Sequence, residues 1–254
     1  MIPLRDQNPT SRPAVVTFLL ILVNVAVYFF IQPHDMTRRG GGVQEARFTY
    51  EHAAIPCEVV NDRPLTSNEV IRSVRGNHEG CEDGHPSSPA PFPHKAVYLA
   101  IIYSMFLHGS LLHIGGNMLF LWIFGNNIED RMGPFLYLLF YFAGGLVAAA
   151  AHIASQPDST VPVVGASGAI AAVMGAYLVL FPNAPIRTVF IFFLILIRDI
   201  SAKWLLLFWF VSQFFVAPTQ GIAWVAHVGG FLFGALVALL FRNRLRGSPV
   251  PAAY

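Results

Sequence analysis

Long apolar runs dominate this chain and are separated by short polar segments. The runs cover residues 14–31, 111–124, 135–151, 163–181, 204–217 and 224–241. A helix of about 18–20 apolar residues is long enough to cross a bilayer, and backbone groups inside lipid are satisfied only within helices or closed barrels. The pattern therefore predicts an all-α membrane protein, a bundle of six transmembrane helices.

Two further apolar stretches do not fit this count of spans. Residues 94–109 end in His-Gly, and residues 189–197 are too short to cross a membrane and run into a charged stretch. We expect the first to be an interfacial helix that leads into the second span. We expect residues 183–203 to be an interfacial segment on the cytoplasmic side, before the fifth span.

Basic residues near the span ends are distributed asymmetrically. One set of connections and both terminal segments contain Arg5, Arg12, Arg131, Arg187, Arg198, Lys203, Arg242, Arg244 and Arg246. The turns 152–162 and 218–223, on the opposite side, contain neither Lys nor Arg. Because an excess of Lys and Arg marks the cytoplasmic side, we expect both termini to be cytoplasmic.

This topology divides the chain into three parts. Residues 1–13 form a cytoplasmic segment, residues 14–246 the membrane domain, and residues 247–254 a cytoplasmic tail. The N-terminal residues do not resemble an amphipathic, Arg-rich transit peptide, which favours the plasma (inner) membrane of a bacterium over an organelle.

Residues 33–93 form a long polar insertion that this topology places outside the cytoplasm. The insertion is rich in Pro, Gly and charged residues, and it contains Cys57 and Cys81. In an oxidising compartment a disulfide between them is favoured and would staple an otherwise irregular loop. The alternative is a metal site of His78, Cys81 and His85, whose spacing matches no standard zinc pattern.

The composition agrees with a membrane protein. Hydrophobic residues make up 55% of the chain and charged residues only 12%, about half of the roughly 25% that is usual in soluble domains. The net charge of +2 and the lack of a basic stripe argue against nucleic acid as a partner. We expect the lipid bilayer to surround the chain.

Four polar residues interrupt the apolar runs near the predicted outer ends of three spans. They are His113 and Asn117 on the second span, Ser167 on the fourth and His227 on the sixth. Taken alone, the serine could be a packing residue, the histidine of the sixth span a satisfied core residue, and the asparagine a helix–helix contact. Because these spans run in the same direction, the four residues share one depth, and polar groups inside a membrane usually mark functional sites.

The residue types at this depth favour acyl transfer. A serine hydroxyl becomes a nucleophile when a base within about 3 Å accepts its proton, and His227 can be that base for Ser167. The second span can offer the side-chain N–H groups of Asn117 and His113 to an oxyanion, and the Ser167 backbone N–H lies at a helix start. No intramembrane Asp or Glu is available to orient His227, so we expect a dyad.

Small residues recur at helical spacing on the fourth and sixth spans, and such faces let two helices approach closely. The two stripes are Ser167, Ala171 and Gly175, and His227, Gly230 and Gly234. We expect this close approach to bring the serine to the histidine.

Three stretches resemble the motifs of the rhomboid family of intramembrane serine proteases. They are FLHGSLLHIGGNMLFLWIFGNNIEDRMG (106–133), GASG (165–168) and AHVGG (226–230). The resemblance covers about residues 1–31 and 96–246 and leaves the insertion aside. It implies a six-helix bundle with a water-filled cavity open to the outside, and single-span membrane proteins as substrates.

The resemblance also implies roles for individual residues, with no metal and no cofactor. Ser167 would attack the scissile carbonyl, His227 would act as base and then acid, and His113 with Asn117 would hold the oxyanion. Supporting roles would fall to His108, Gly165, Gly168 and Gly230.

Two positions depart from the family pattern. An aromatic residue commonly stands four positions after the serine and supports the histidine ring, but Ala171 occupies that position here. We expect Trp224 or a neighbouring span to steady His227 instead. The first loop also lacks the Trp-Arg pair that family members frequently carry.

Two other functions are consistent with parts of the pattern. One is a catalytically silent rhomboid-like protein that binds transmembrane clients, although such proteins typically lose the serine or the histidine. The other is a metal-binding or transport protein that uses His108, His113 and His227, although these spans supply no Cys, Asp or Glu at tight spacing.

Overall fold

The computed structural model describes residues 1–33, 41–82, 87–191, 195–215 and 223–245, and these residues are mostly helical. Helices that follow the apolar runs are α1 (Val15–Ala26), α6 (Leu111–Met132), α7 (Pro134–Ser155), α8 (Ser167–Leu180), α9 (Ala202–Ser212) and α10 (Trp224–Leu240). The others are α2 (Gly41–His52), α3 (Pro56–Asn61), α4 (Ser67–Val74), α5 (Leu99–Ser104) and α11 (Arg242–Leu245). A π-helical turn at Val27–Ile31 extends α1, and a 3-10 turn at Gln213–Phe215 extends α9.

Helix α7 is the one helix of the described residues that is long and apolar enough by itself to cross a membrane. Four shorter apolar helices lie at Val15–Ile31, Ser167–Leu180, Ala202–Phe215 and Trp224–Leu240. Helix α6 is as long as α7, at 22 residues, but ends in the charged sequence Glu129-Asp130-Arg131. Each predicted run therefore contains a helix, while the six-span bundle itself stays a prediction.

Helix α8, which follows the fourth apolar run, begins later than that run does. The run was expected to span from residue 163, but α8 begins at Ser167. The preceding residues use their backbone elsewhere, since the N–H of Val163 donates to Ala54 and that of Gly165 donates to Ser104. Gly165 has a φ of 126°, which non-glycine residues rarely adopt, so the chain turns there instead of continuing a helix.

The all-α prediction misses a three-stranded antiparallel sheet. Strands β1 (Ile2–Asp6), β2 (Pro185–Ile191) and β3 (Ile195–Ser201) pair in the order β1-β2-β3. The expected interfacial segment 183–203 is therefore largely sheet. It is rich in β-branched residues, and the buried Ile186 and Thr188 alternate with the exposed Arg187, which is the signature of a strand with one buried face.

The described residues divide into two compact units. The first contains Met1–Leu22, Gly115–Ala148 and the chain from Ser167 onward, and the second contains Val23–Ile114 and Ala149–Ala166.

In the first unit, α8 and α10 pack with their backbones in contact. A Cβ atom on Gly230 would overlap the carbonyl oxygen of Gly168, and one on Gly234 would overlap that of Ala172. A Cβ on Gly175 would overlap the carbonyl oxygen of Phe231. The predicted close approach therefore exists. On α8 it uses Gly175, which belongs to the predicted stripe, together with Gly168 and Ala172, which the stripe did not include.

Polar contacts hold the N-terminal segment to the end of α6 within the same unit. The Glu129 carboxylate accepts hydrogen bonds of 2.8 Å from the backbone N–H groups of Val16 and Thr17. These N–H groups belong to the first turn of α1, which has no intrahelical acceptors for them. The buried Asp6 carboxylate accepts the Tyr177 hydroxyl at 2.6 Å, which connects β1 to α8.

The second unit contains the long insertion, and its organisation differs from the irregular loop that was expected. Helices α2, α3 and α4 all lie in it. A disulfide joins Cys57 to Cys81, as predicted, with 5.8 Å between their Cα atoms. The alternative metal site is wrong because the sulfur of Cys81 is bonded to Cys57; its third residue, His85, lies outside the described residues.

A buried carboxylate organises the residues around this disulfide. Glu69 binds the Arg63 guanidinium through both oxygens at 2.8 Å and accepts the backbone N–H groups of Thr66 and Glu82 at 2.6 Å. Burial opposes ionisation of Glu69, but the Arg63 guanidinium and the two N–H groups outweigh it and lower its pKa to about 2.

Candidate active site

Ser167 and His227 meet in the first unit. Ser167 is the first residue of α8, and His227 lies in the first turn of α10. The Nε2 atom of His227 is 2.8 Å from the Oγ atom of Ser167, and both residues are partly buried. This distance lies within the range at which an imidazole can accept the proton of a hydroxyl.

The contact between the two helices makes this distance possible. The side chain of a serine is short, so the helix carrying the histidine must come close to its backbone. Gly230, one turn after His227, lies directly on the Gly168 backbone, where a side chain on Gly230 would overlap the carbonyl oxygen. The glycines beside the two polar residues therefore set the approach of the helices.

Gln213 holds the other nitrogen of the His227 ring. Its Oε1 atom is 2.7 Å from Nδ1 of His227, and the side chain is almost completely buried. The Nε2 group of Gln213 donates to the carbonyl oxygen of Trp209 at 2.9 Å, which assigns the orientation of the amide. Nδ1 of the imidazole therefore carries the proton, and the lone pair on Nε2 faces the serine hydroxyl.

The aromatic ring of Trp209, on α9, also lies beside His227. The Trp209 ring centroid is 5.7 Å from that of His227, with the planes tilted by 38°. The expectation that a neighbouring span would support the ring in place of Ala171 agrees with this placement. The ring centroid of the other candidate, Trp224, is 5.8 Å from that of Phe214.

The sequence contained a signal for Gln213 that the motif pattern did not use. The residue is an amide that, with Ser212, interrupts the apolar run around residues 204–217, and such a residue needs a hydrogen-bond partner. Its spacing from His227 matches no motif, because the two residues belong to different helices. Only the packing of α9 beside α10 identifies the partner.

Asn117 offers a free donor on α6. Its side chain is 8% exposed, and within the described residues its Nδ2 atom has no hydrogen-bond partner. The backbone N–H of Ser167 begins α8 and has no intrahelical acceptor. A buried amide donor without a partner is costly unless a ligand or water completes it.

His108 and His113 belong to the second unit. Their rings meet edge to face with centroids 5.0 Å apart. Gln32 clamps the His108 backbone by accepting its N–H at 2.9 Å and donating to its carbonyl oxygen at 3.1 Å. The roles expected for the two histidines, structural for the first and oxyanion donor for the second, stay predictions.

Both ring nitrogens of His227 are engaged, which opposes its use as a metal ligand. Nε2 faces Ser167 and Nδ1 faces Gln213. The one cluster of potential metal ligands that the described residues form is Cys57, Glu69 and Cys81, and its two sulfurs are joined in the disulfide.

The chain is similar to known rhomboid sequences. Residues 95–244 match the family model described as Rhomboid domain. The Rhomboid protein 1, mitochondrial, of Saccharomyces cerevisiae is 31% identical over 141 residues, which cover 54% of this chain and 33% of that protein.

Two vertebrate proteins show weaker similarity over a comparable region. The presenilin-associated rhomboid-like protein A, mitochondrial, of Danio rerio is 28% identical over 150 residues, covering 58% of this chain and 38% of that protein. The human presenilin-associated rhomboid-like protein, mitochondrial, is 26% identical over 172 residues, covering 62% and 42%. The chain thus matches between a third and about two fifths of the length of these relatives.

Proposed function

Because this chain belongs to the rhomboid family, we propose that it is an intramembrane serine endopeptidase that cuts the transmembrane segments of single-span membrane proteins. The observation that carries the proposal is the 2.8 Å distance between Oγ of Ser167 and Nε2 of His227. The tautomer that Gln213 imposes supports it, since the lone pair of Nε2 is then available to the hydroxyl proton.

The first half of the proposed reaction acylates the serine. Oγ of Ser167 attacks the scissile carbonyl carbon while Nε2 of His227 takes the hydroxyl proton. The tetrahedral intermediate collapses when the carbon–nitrogen bond breaks, and the imidazolium returns the proton to the departing amine. In the second half, a water molecule loses a proton to Nε2 and attacks the acyl carbon. The bond between that carbon and Oγ then breaks, the imidazolium returns the proton to Oγ, and the carboxylic acid is released.

Gln213 takes the orienting position that a carboxylate holds in a serine–histidine–aspartate triad. Its carbonyl oxygen accepts the Nδ1 proton and fixes the ring, but it is neutral and stabilises the imidazolium only through its dipole. We therefore propose a dyad of Ser167 and His227 that is positioned by a neutral amide.

The oxyanion of the tetrahedral intermediate requires donors that are not used elsewhere. We propose the Asn117 side-chain amide and the Ser167 backbone N–H for this role, because the first has no partner within the described residues and the second begins a helix. His113, from the first turns of the same helix as Asn117, is the further donor that the sequence motif predicts.

Rhomboids are membrane proteins, and we propose the six-span arrangement with both termini in the cytoplasm and the site open to the opposite side. The division into residues 1–13, 14–246 and 247–254 belongs to this proposal. Contacts in the first unit support it, because three segments predicted on one side meet there: the N-terminal residues, the end of α6 and the strands β2 and β3. We assign the chain to a bacterial plasma membrane, whereas the names of the relatives place those proteins in mitochondria.

Reconstitution with a model single-span substrate tests the proposal. Ser167→Ala and His227→Ala are each expected to reduce cleavage by at least about 10³-fold, since a nucleophile and its base act as a unit. A fluorophosphonate is expected to label the unmodified protein and not Ser167→Ala.

Three results would count against this function. Cleavage that survives Ser167→Ala would exclude the dyad, and loss of cleavage only with a chelator would favour metal chemistry. Binding of the substrate without cleavage or labelling, in protein of native helical content, would indicate the catalytically silent, client-binding alternative.

A further inference from the structure

An apolar groove lies between the sheet and α9 in the first unit. Its volume is about 580 Å³, and apolar atoms form almost all of its walls. The lining residues include Phe190 and Ile200 from the sheet and Trp204, Leu207, Phe208 and Val211 from α9. The groove is open along one side, and Trp204 and Phe208 remain 65% and 60% exposed. A surface of this kind is not left to water and needs an apolar occupant.

Two basic side chains lie beside this groove, Arg198 in the middle of β3 and Lys203 in the first turn of α9. Arg198 pairs with Thr188 and Leu196 with Phe190, so the antiparallel register places Arg198 on the same sheet face as the groove residues Phe190 and Ile200. On α9, the Lys203 ammonium lies 5.7 Å from the ring centroid of Trp204. Two cations therefore lie beside the apolar walls.

No carboxylate of the described residues pairs with either cation. The acidic residue next to Arg198 is Asp199, which points to the other face of the sheet and binds Arg187 there at 3.1 Å. Arg198 is exposed. The charge on the groove side of the sheet is therefore uncompensated and attracts an anion.

We propose that this groove binds an anionic phospholipid, with an acyl chain along Leu207 and Phe208 and the phosphate beside Arg198 and Lys203. An apolar groove with cations beside its walls matches a molecule with a hydrocarbon tail and a negatively charged head. An exposed tryptophan at the boundary is typical of the level where lipid headgroups meet the hydrocarbon region. Basic residues close to a membrane surface attract anionic lipids.

A membrane helix of another protein fits the groove less well. Such a helix would cover the apolar walls but would bring no negative charge to Arg198 and Lys203. The lipid satisfies both features at once. The site depends on the membrane placement of the first unit and not on peptide-bond hydrolysis, so it can be tested separately from the proposed activity.

Contact quenching of tryptophan fluorescence tests the site in the full chain. The protein is reconstituted in phosphatidylcholine vesicles that contain a small, equal fraction of either brominated phosphatidylglycerol or brominated phosphatidylcholine. Subtraction of the Trp204→Phe signal isolates Trp204 from the other tryptophans. If each of the two basic side chains increases the affinity about fivefold, the anionic lipid should have an advantage of roughly 25-fold over the zwitterionic one.

Variants distinguish a specific lipid site from a general attraction of anionic lipids to the basic protein surface. Arg198→Gln combined with Lys203→Gln is expected to remove the preference for the anionic lipid, while quenching by bulk lipid remains. Arg187→Gln is the matched control, because Arg187 lies in the same sheet but on the opposite face. Circular dichroism and elution volume verify that each variant is folded.

The outcomes either support or overturn the site. Preference for the anionic lipid that depends on Arg198 and Lys203 and not on Arg187 supports it. Equal quenching by both lipids, or an unchanged preference in the double variant, overturns it by showing ordinary boundary lipid. Absence of quenching by either lipid also overturns it and indicates that protein covers the groove.

Discussion

The helix contact beside Ser167 and His227 and the region around the disulfide are stabilised in opposite ways. Helices α8 and α10 meet through glycine and alanine, with carbonyl oxygens directly on glycine Cα atoms. The region around Cys57 and Cys81 is held by that covalent bond and by buried ion pairs such as Arg63–Glu69. Helices surrounded by lipid gain little from hiding apolar side chains and depend on close packing, whereas a polar segment can use charged pairs and a covalent bond.

This difference changes how a polar side chain is interpreted in each region. In the second unit, buried groups such as Lys95 and Glu58 pair with each other at 2.5 Å and stabilise the fold. In the helices of the first unit, Gln213, His227 and Ser167 form one chain of hydrogen bonds. A polar group among apolar helices is therefore the better indicator of function.

The largest expected effect comes from filling the helix contact. In Gly234→Ala the new methyl group would overlap the carbonyl oxygen of Ala172, and neither backbone can move aside without opening the contact. We expect a loss of about 3 kcal/mol or more in stability, measured by unfolding in detergent, together with loss of cleavage.

Gly116→Ala is the matched control for this prediction. Gly116 is also a helical glycine, but a Cβ there meets nothing within 4 Å. We expect this variant to be as stable as the unmodified protein or slightly more so, since alanine favours helix over glycine. Equal stability of the two alanine variants would show that backbone contact does not hold α8 and α10 together.

Removal of the disulfide tests how the region around Cys57 and Cys81 is stabilised. Cys57→Ser combined with Cys81→Ser opens a crosslink with a sequence separation of 24 residues, which should cost about 3 kcal/mol in the stability of the insertion. Hydrogen exchange of residues 56–74 should accelerate accordingly. A reductant should reproduce this change in the unmodified protein and have no effect on the double variant; unchanged exchange in both would refute the stapling role.

Gln213→Ala tests whether a neutral amide positions the base. Loss of one hydrogen bond to the imidazolium should reduce kcat/KM by about tenfold to 150-fold, while KM changes little. Gln213→Glu should move the acidic limb of the pH–rate profile to higher pH, because a carboxylate stabilises the protonated ring.

Phe215→Ala, in the same 3-10 turn but 83% exposed, is the control for Gln213. It should leave both the rate and the pH profile unchanged. A purely structural role of Gln213 would lower the amount of folded protein and leave the pH profile of Gln213→Glu where it was.

The smallest effect concerns the pH dependence of the insertion. The pKa of Glu69 is lowered to about 2 from an ordinary value of 4.5. The stabilisation is therefore complete above about pH 4.5 and is lost as the pH falls toward 2, reaching a loss of about 2 kcal/mol near pH 3. Hydrogen exchange of residues 56–74, corrected for the intrinsic rate, should show this loss, and Glu69→Gln should abolish the pH dependence.

Much of the helical fold followed from the sequence because α1 and the helices from α6 to α10 each follow an apolar run. The positions of Ser167 and His227 followed as well, since they interrupt those runs near one end. The sheet was missed because residues 183–203, which contain β2 and β3, were expected to be an interfacial segment, and because β1 pairs with residues far away in the chain. The π-turn at Val27–Ile31 and the exact start of α8 depend on local contacts that no periodicity encodes.

The sequence by itself determined which residues can do chemistry, because a polar side chain in an apolar run is visible without any knowledge of contacts. It also determined that α8 and α10 can approach closely, because glycine and alanine recur at helical spacing on both. Tertiary structure alone decided that Gln213 and Trp209 hold the His227 ring and that cations flank the groove beside α9. These contacts form between helices and strands that pack together. The spacing of residues along the chain does not indicate which helix packs against which.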